Sequence, residues 1–324
     1  MGSSLSTSDH EIANDLVIDL RNTPRTSLDA VVTQLIALGE NHPQNVTLIS
    51  GPARIGPDAI IRLSRLMRQR PSMIAALSLT HHPISSSNIA ALSLSLSSLY
   101  TLDLDNASLS ESCLSSLGHG LPSANFLSTL TINDNANNLE SANFTIFIEG
   151  VRSSNVLRLE MKDNKVPDVE MAEIIQGLIG SRIEHLALDG NRIGIWGSKA
   201  LSQYLSLSES KIKVLGLARN RICRISSASI AAMIVQNCRL RELDLTANPM
   251  SDSGVKQVID SLSTSSSILV LTLPLAEINQ GKDVHYDSIT HLLNRNRRIY
   301  ERQHNSGNDG INYDLAMTET YSAA

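Results

Sequence analysis

The sequence predicts an α/β solenoid, an arc in which short parallel strands line the concave face and α-helices cover the convex face. Three observations predict this fold. An apolar pattern recurs with a period of about 28 residues along most of the chain. Asparagine occupies the same position in four consecutive units of that pattern. The apolar content is 42% but the aromatic content is only 3%, which favours an interior of stacked aliphatic layers.

The repeated unit is clearest in the middle of the chain. Its apolar residues stand at positions 1, 4, 6 and 11, and its asparagine stands at position 9. In one unit these residues are Ile183, Leu186, Leu188, Ile193 and Asn191. Clean units also start at Val156, Ile212 and Leu240, and looser units start near Ile74, Leu99, Leu127 and Ile268. Two weaker units, with strands near 16–20 and 46–49, are expected before them.

Each unit is predicted to begin with a strand. Positions 4 and 6 are two residues apart, so on a strand they point to the same face, which is the core. Positions 3, 5 and 7 then point to solvent on the concave side. Because a helix on the return path needs more room than a strand, the stacked units bend into an arc.

The pattern resembles the ribonuclease-inhibitor-like subclass of leucine-rich repeats over roughly residues 16–304. The resemblance is closest in the strand-to-helix segment that contains Asn191, Arg192, Ile193, Gly194, Gly197 and Leu201. It implies that every unit holds a strand, a loop and a full α-helix. It also implies a binding role, although this subclass hosts many unrelated roles.

The repeats divide the chain into three parts. Residues 1–15 are expected to form a flexible N-terminal segment, and residues 16–304 a domain of about nine to ten repeats. A capping helix near 287–303 is expected to close that domain, because apolar residues recur there at helical spacing among arginines. Residues 305–324 are rich in Asn, Ser, Gly and Asp and are predicted to be a disordered tail.

The asparagine at position 9 has a structural explanation. A carboxamide both donates and accepts hydrogen bonds, so a buried column of asparagines can satisfy the backbone groups of an irregular turn. The sequence predicts such a ladder from Asn164, Asn191, Asn220 and Asn248. His82, Ala107 and Ala276 replace the asparagine in other units, which predicts looser turns there.

Composition and motifs argue against several classes of function. The formal net charge of -5 and the pI near 6.0 disfavour a nucleic-acid partner. No stretch predicts a transmembrane helix or a signal peptide, so a cytoplasmic location is expected. The motifs of P-loop proteins, serine hydrolases and zinc proteases do not occur in the sequence. The sequence therefore predicts no catalytic residue, no metal and no cofactor.

The concave face is one candidate surface for a partner protein. Its predicted solvent-facing carboxylates outnumber the cations Arg158 and Lys162, so the face is mildly acidic. These carboxylates are Asp103, Asp105, Glu160, Asp189, Glu242 and Asp244. No aromatic residue stands at the same positions, so the usual anchors of an interface are absent there. An open sheet is also expected to give too little desolvation to shift a pKa.

The loop between strand and helix is the second and preferred candidate. Position 10 is a cation in three consecutive units, and stacking is expected to place these cations in one column, with Arg219 beside them. The three cations are Lys165, Arg192 and Arg221. Five residues after each ladder asparagine stand Val169, Trp196 and Ile225, which predicts an apolar strip beside the basic column. Arg and Trp are enriched in interface hot spots.

These features predict a non-catalytic scaffold or adaptor that binds another protein. One alternative is a small-GTPase regulator similar to the Ran GTPase-activating proteins, and others are a tropomodulin-type actin regulator or a host-directed effector. Gly2 and Ser6 match the pattern for N-myristoylation. A single acyl chain on Gly2 would give only weak membrane association, so a location at the periphery of a membrane is a further expectation.

Overall fold

The computed structural model of the protein describes residues 16–21, 28–37, 46–50, 58–71, 73–136, 143–274 and 286–304. The predicted flexible segment 1–15, which contains Gly2, lies outside the described residues. The predicted tail 305–324 and Ala276 also lie outside them. The expectations for these parts of the chain stay predictions.

Ten short strands form one parallel sheet, in which each strand pairs with the next strand along the chain. The strands β1 to β10 are Val17–Asp19, Val46–Ile49, Ile74–Ser78, Thr101–Asp103, Thr129–Thr131, Arg158–Glu160, His185–Ala187, Val214–Gly216, Glu242–Asp244 and Val270–Thr272. Parallel neighbours need a crossover connection, and in this chain the crossover is helical wherever the structure describes it.

Helices alternate with the strands along the chain. The helices α1 to α10 are Leu28–Ala37, Ala59–Gln69, Ser86–Ser93, Glu111–Gly120, Thr145–Arg152, Asp168–Gly177, Ile195–Leu205, Arg224–Gln236, Asp252–Leu262 and Tyr286–His304. Single 3-10 turns, Leu96–Ser98 and Leu121–Ser123, follow α3 and α4. The predicted fold class, an α/β solenoid of leucine-rich repeats with strands and helices on opposite sides, is confirmed.

The register of the sheet places position 4 of every unit in one buried column. From β4 to β10 this column consists of Leu102, Leu130, Leu159, Leu186, Leu215, Leu243 and Leu271. All seven leucines are buried. Leu77, Leu48 and Ile18 continue the column to the first strand, so the two weak units at the N-terminal end follow the same register.

The position-9 asparagines connect each repeat to the one before it. The Asn220 Oδ1 accepts a hydrogen bond from the Ile193 backbone N–H at 3.0 Å, and its Nδ2 donates to the Leu188 and Leu217 carbonyls. Asn164, Asn191 and Asn248 make corresponding bonds. The ladder therefore provides hydrogen-bond partners for the N–H and carbonyl groups of turns, which have no partners in a helix or a sheet.

The ladder has a further member, Asn135, which stands at position 9 of the looser unit that starts at Leu127 but was not among the four predicted asparagines. Asn135 accepts hydrogen bonds from the backbone N–H groups of Ala107 and Leu109, both at 3.0 Å, and its Nδ2 donates to the Leu104 carbonyl. The turn at Ala107 thus receives its bonds from the following repeat, although its own asparagine is missing.

Helix α10 covers the end of the last repeat. Its Ile289 and Leu293 are buried, and its Asn296, also buried, donates to the Ile268 carbonyl at 2.9 Å. Arg295 donates to the carbonyls of Leu262 and other residues in the loop that precedes β10. No helix in the described part of the chain is long and apolar enough to cross a membrane.

Candidate protein-interaction surfaces

The structure brings the predicted basic residues together at the loops that follow the strands. The Arg192 backbone N–H donates to the Val166 carbonyl at 3.1 Å, and the Arg221 N–H donates to the Ile193 carbonyl at 2.9 Å. Position 10 of each unit is therefore stacked directly on the preceding unit. Lys165 and Arg221 are exposed at the two ends of this column, and Arg192 is half-buried between them.

Three apolar side chains stand exposed beside that column. Val169, Trp196 and Ile225 expose 54%, 58% and 63% of their area and lie in the first turns of α6, α7 and α8. Large apolar side chains with this exposure in three successive repeats form a patch that needs an explanation. We call the surface formed by Lys165, Val169, Arg192, Trp196, Arg221 and Ile225 the loop rim.

Asp168 holds the loop rim in place. Its carboxylate accepts hydrogen bonds from the backbone N–H groups of Gly194, Trp196 and Gly197, at 2.7, 3.0 and 2.8 Å. One residue at the start of α6 therefore satisfies the free donors at the start of α7 in the next repeat. The backbone that carries Trp196 is fixed as a result.

Two glycines in the sequence are explained by these hydrogen bonds to Asp168. A Cβ atom on Gly194 or Gly197 would come within 3.0 Å of an Asp168 carboxylate oxygen. The two glycines thus leave the space that the carboxylate occupies. Asp168 was not among the predicted site residues.

Arg219, which was predicted to lie beside the column, has a partner within the protein. Its guanidinium pairs with the Asp163 carboxylate at 2.8 Å, and both side chains remain partly exposed. Its backbone is in the left-handed region, with a φ of 53°. The pair neutralises much of the charge of Arg219, so this residue contributes less to the loop rim than Lys165 and Arg221 do.

Most carboxylates of the concave face are also satisfied internally. Glu160 lies between Arg158 and Lys162, at 2.5 and 2.9 Å. Burial opposes its ionisation, but the hydrogen bonds from Lys162 and Arg158 outweigh burial and hold the pKa of Glu160 below its ordinary value. Because two cations of the protein already compensate the Glu160 carboxylate, it would attract a cation of a partner only weakly.

Further along the face, two carboxylates accept hydrogen bonds from neutral donors. Asp189 accepts a bond from the Ala218 N–H at 2.8 Å, and burial raises its pKa. Asp244 accepts from Thr246 and from the Thr272 hydroxyl. Glu242, in contrast, is exposed.

The expectation that an open sheet gives no desolvation was wrong. Burial and the neighbouring Asp103 charge raise the pKa of Asp105 to about 6. Burial, followed by the nearby Arg158 charge, lowers the pKa of His185 to about 4. Ala187, expected to be exposed, keeps only 2% of its area accessible. Strands about 5 Å apart let side chains from adjacent repeats shield one another from water.

Replacing Asp105 with asparagine should raise the thermal stability near pH 7.5 and leave it nearly unchanged near pH 4. The raised pKa means that ionised Asp105 opposes folding, so the wild type loses stability as the pH rises from about 4 to about 6. Removing the charge should restore about 1 kcal/mol after allowance for solvent screening.

The measurement for Asp105→Asn is the melting temperature across this pH range. Asp134→Asn is the control, because it removes an exposed carboxylate from the next repeat. A pH dependence identical in wild type and Asp105→Asn would contradict the assigned environment.

Metal chemistry receives no support from the geometry. Within the described residues, no three His, Cys, Asp or Glu side chains are grouped so that they could hold a metal ion. The adjacent carboxylates Asp103 and Asp105 lie on the concave face without a third such ligand.

Comparisons with known proteins point to the same repeat architecture. No family model matches the chain. A stretch of 165 residues is 27% identical to human NACHT, LRR and PYD domains-containing protein 14, over 50% of this chain and 15% of that protein. A stretch of 77 residues is 36% identical to the ribonuclease inhibitor of Sus scrofa, over 24% of this chain and 17% of that protein. The chain thus spans less than a fifth of the length of either relative.

A solved structure shows the likeness over more of the chain. The leucine-rich repeat-containing protein LegL7 from Legionella pneumophila aligns with a TM-score of 0.50 and 17% sequence identity. The alignment covers 86% of this chain and 89% of that chain. At this identity the likeness concerns the fold alone.

Proposed function

We propose that this chain, which folds as a leucine-rich-repeat solenoid, is a non-catalytic scaffold that binds a partner protein through the loop rim. Among the described residues, no group of three His, Cys, Asp or Glu side chains could hold a metal ion. The ribonuclease inhibitor, to which part of the chain is similar, is by its name a protein that acts on another protein, and this supports the proposal. The choice of the loop rim is our inference from this molecule.

The observation that carries the proposal is the exposure of Val169, Trp196 and Ile225 beside a column of cations. An exposed tryptophan flanked by arginines has the composition of an interface hot spot. Trp196 stands on backbone that Asp168 fixes, so little conformational freedom would be lost on binding. The concave carboxylates, in contrast, mostly have donors within the protein.

The size of the loop rim fits a protein partner. Neighbouring helices pack roughly 8 to 10 Å apart, so the strip from Val169 to Ile225 extends over roughly 20 Å. A stable interface buries about 800 Å² on each side, which corresponds to a square with sides of roughly 28 Å, so the strip would form the centre of such an interface. Neither GTPase regulation nor actin binding is supported by a comparable feature of the described residues.

Replacing Trp196 with alanine and Arg221 with glutamate should weaken partner binding at least about 30-fold, because truncated hot-spot residues cost about 2 kcal/mol or more. Both side chains are exposed, so the melting temperature should stay unchanged. The partner is first trapped by a photo-crosslinking amino acid at position 196 in cells that naturally make the protein. Its affinity for the purified full chain is then measured for wild type and variant.

A photo-crosslinker at Glu173, on an exposed position of α6, is the control. We expect a discrete adduct from position 196 and none from position 173. Equal adducts at both positions, or equal affinity of variant and wild type, would count against the loop rim as the binding surface.

A further inference from the structure

The charges of this protein are segregated along the arc. Residues 71–151 contain six Asp and Glu residues and no Lys or Arg at all. This stretch holds β3 to β5, α3, α4 and all of α5 except its last residue, Arg152. The loop rim with its cations follows in the next repeats. Because charges of both signs are normally interspersed on a soluble domain, an acidic stretch of this length is an unusual feature.

A groove opens on the concave face over the first four strands, and Asp103 of the acidic stretch lines it. Its volume is about 990 Å³, and its floor is made of small side chains on β2 to β4, among them Thr47, Ala76, Ser78 and Thr101. Asp103 lies at one end and Arg21 at the other. We call this surface the N-terminal groove.

The two ends of the N-terminal groove differ in how their charges are compensated. Arg21 already pairs with Asp19 at 2.6 Å. Asp103 accepts hydrogen bonds only from neutral donors, the Ser78 hydroxyl at 2.9 Å and the Asp105 N–H at 3.1 Å. Its neighbour Asp105 is likewise bonded to the amides of Asn133. Among the described residues, no cation forms an ion pair with either carboxylate.

An exposed aromatic pair lies beside the start of β4, the strand whose Thr101 and Asp103 line the groove. Tyr100 and Phe126 are 50% and 56% exposed, and their ring centroids are 5.6 Å apart. Tyr100 directly precedes Thr101, which lines the groove. Exposed aromatic faces attract the guanidinium and ammonium groups of partner side chains, as well as their aliphatic stems.

From the groove, the uncompensated carboxylates and the aromatic pair, we infer that this surface binds a segment of a partner protein that bears lysine and arginine. Asp103 and Asp105 receive the cationic heads, and Tyr100 and Phe126 pack on the stems. Residues 71–151 contain no Lys or Arg that could compete for these carboxylates, and Arg21 at the other end of the groove is paired with Asp19. This surface is separate from the loop rim, so it is independent of the function proposed above.

The test uses the full chain and a labelled peptide in which arginine and lysine alternate with serine and leucine. A matched peptide carries glutamine in place of every cation. We expect the basic peptide to bind, with an affinity that falls as the salt concentration rises, and the glutamine peptide not to bind. Absence of binding by the basic peptide at low salt would overturn the proposal.

Two double variants locate the binding. Asp103→Asn with Asp105→Asn should weaken binding of the basic peptide at least about tenfold, since each exposed ion pair contributes modestly. Tyr100→Ser with Phe126→Ser should weaken it by a similar factor without changing any charge. Asparagine keeps a hydrogen-bond acceptor at positions 103 and 105, and Tyr100 and Phe126 are exposed. A cooperative melting transition at a temperature no lower than that of the wild type verifies that each variant folds.

Glu111→Gln with Glu149→Gln is the matched control. It removes two charges from the same acidic stretch, but from exposed positions on α4 and α5. We expect its affinity to stay within about twofold of the wild type. If this control weakens binding as much as the groove variant, only the general charge attracts the peptide and the proposal is wrong.

A second copy of this chain is the competing occupant, because its loop rim is basic. Sedimentation velocity of the full chain at increasing concentration distinguishes the two. We expect a constant sedimentation coefficient. Concentration-dependent association that the Asp103→Asn and Asp105→Asn variant abolishes would assign the groove to a second copy and overturn the proposal of a separate partner.

Discussion

Replacing Asn220 with alanine should lower the free energy of unfolding by about 3 to 5 kcal/mol. The carboxamide satisfies three backbone groups, the Ile193 N–H and the carbonyls of Leu188 and Leu217. Asn220 is buried, so water cannot fully replace these bonds. Each buried polar group left unsatisfied costs about 1 to 3 kcal/mol, and the turn that joins the two repeats carries all three.

The measurement for Asn220→Ala is the urea midpoint of the full chain, together with the dependence of the unfolding free energy on urea. Asn294→Ala is the control, because Asn294 is exposed on α10 and its removal should cost less than about 0.5 kcal/mol. A loss below about 1 kcal/mol for Asn220→Ala would mean that the ladder is not what fixes the spacing of the repeats.

The repeat architecture was predictable because its signals are periodic. A strand, a buried leucine column and an asparagine recur at fixed offsets, so each unit supports the assignment of the next. Asn135 was not predicted to belong to the ladder because its unit departs from the pattern at position 11, where Asn137 stands in place of an apolar residue. Its hydrogen bonds nevertheless follow the same geometry as those of Asn164.

The surfaces were less predictable because they depend on contacts between repeats. The bonds of Asp168 to the next repeat join residues 26 to 29 positions apart, and no pattern within one unit reveals them. The raised pKa of Asp105 results from shielding by neighbouring side chains, which an isolated open strand would not show. The aromatic pair of Tyr100 and Phe126 likewise comes from two different repeats.

The two candidate surfaces have opposite character and lie in different repeats. The loop rim combines cations with Trp196, whereas the N-terminal groove combines carboxylates with Tyr100 and Phe126. Electrostatic complementarity would therefore direct two different kinds of partner to the two surfaces. A single rigid arc with this distribution can hold two proteins at a fixed separation, which is a physical basis for a scaffold.

Replacing Asp168 with alanine should both destabilise the protein and weaken binding at the loop rim. Three backbone N–H groups at the start of α7 would lose a charged acceptor, which we expect to cost about 2 to 4 kcal/mol. Trp196 would then stand on a frayed first turn. Part of the binding free energy would then be used to order that turn, so the affinity for the crosslinked partner should fall.

Two comparisons separate this effect from a general loss of stability. Glu173→Ala removes an exposed carboxylate from the same helix and should change neither the urea midpoint nor the affinity. Trp196→Ala should lose affinity while it keeps the midpoint, because the side chain is exposed. Hydrogen exchange provides the local readout: in Asp168→Ala the amides of Gly194, Trp196 and Gly197 should exchange faster than in wild type. Unchanged exchange at these three amides would show that Asp168 does not preorganise the loop rim, whatever happens to the overall stability.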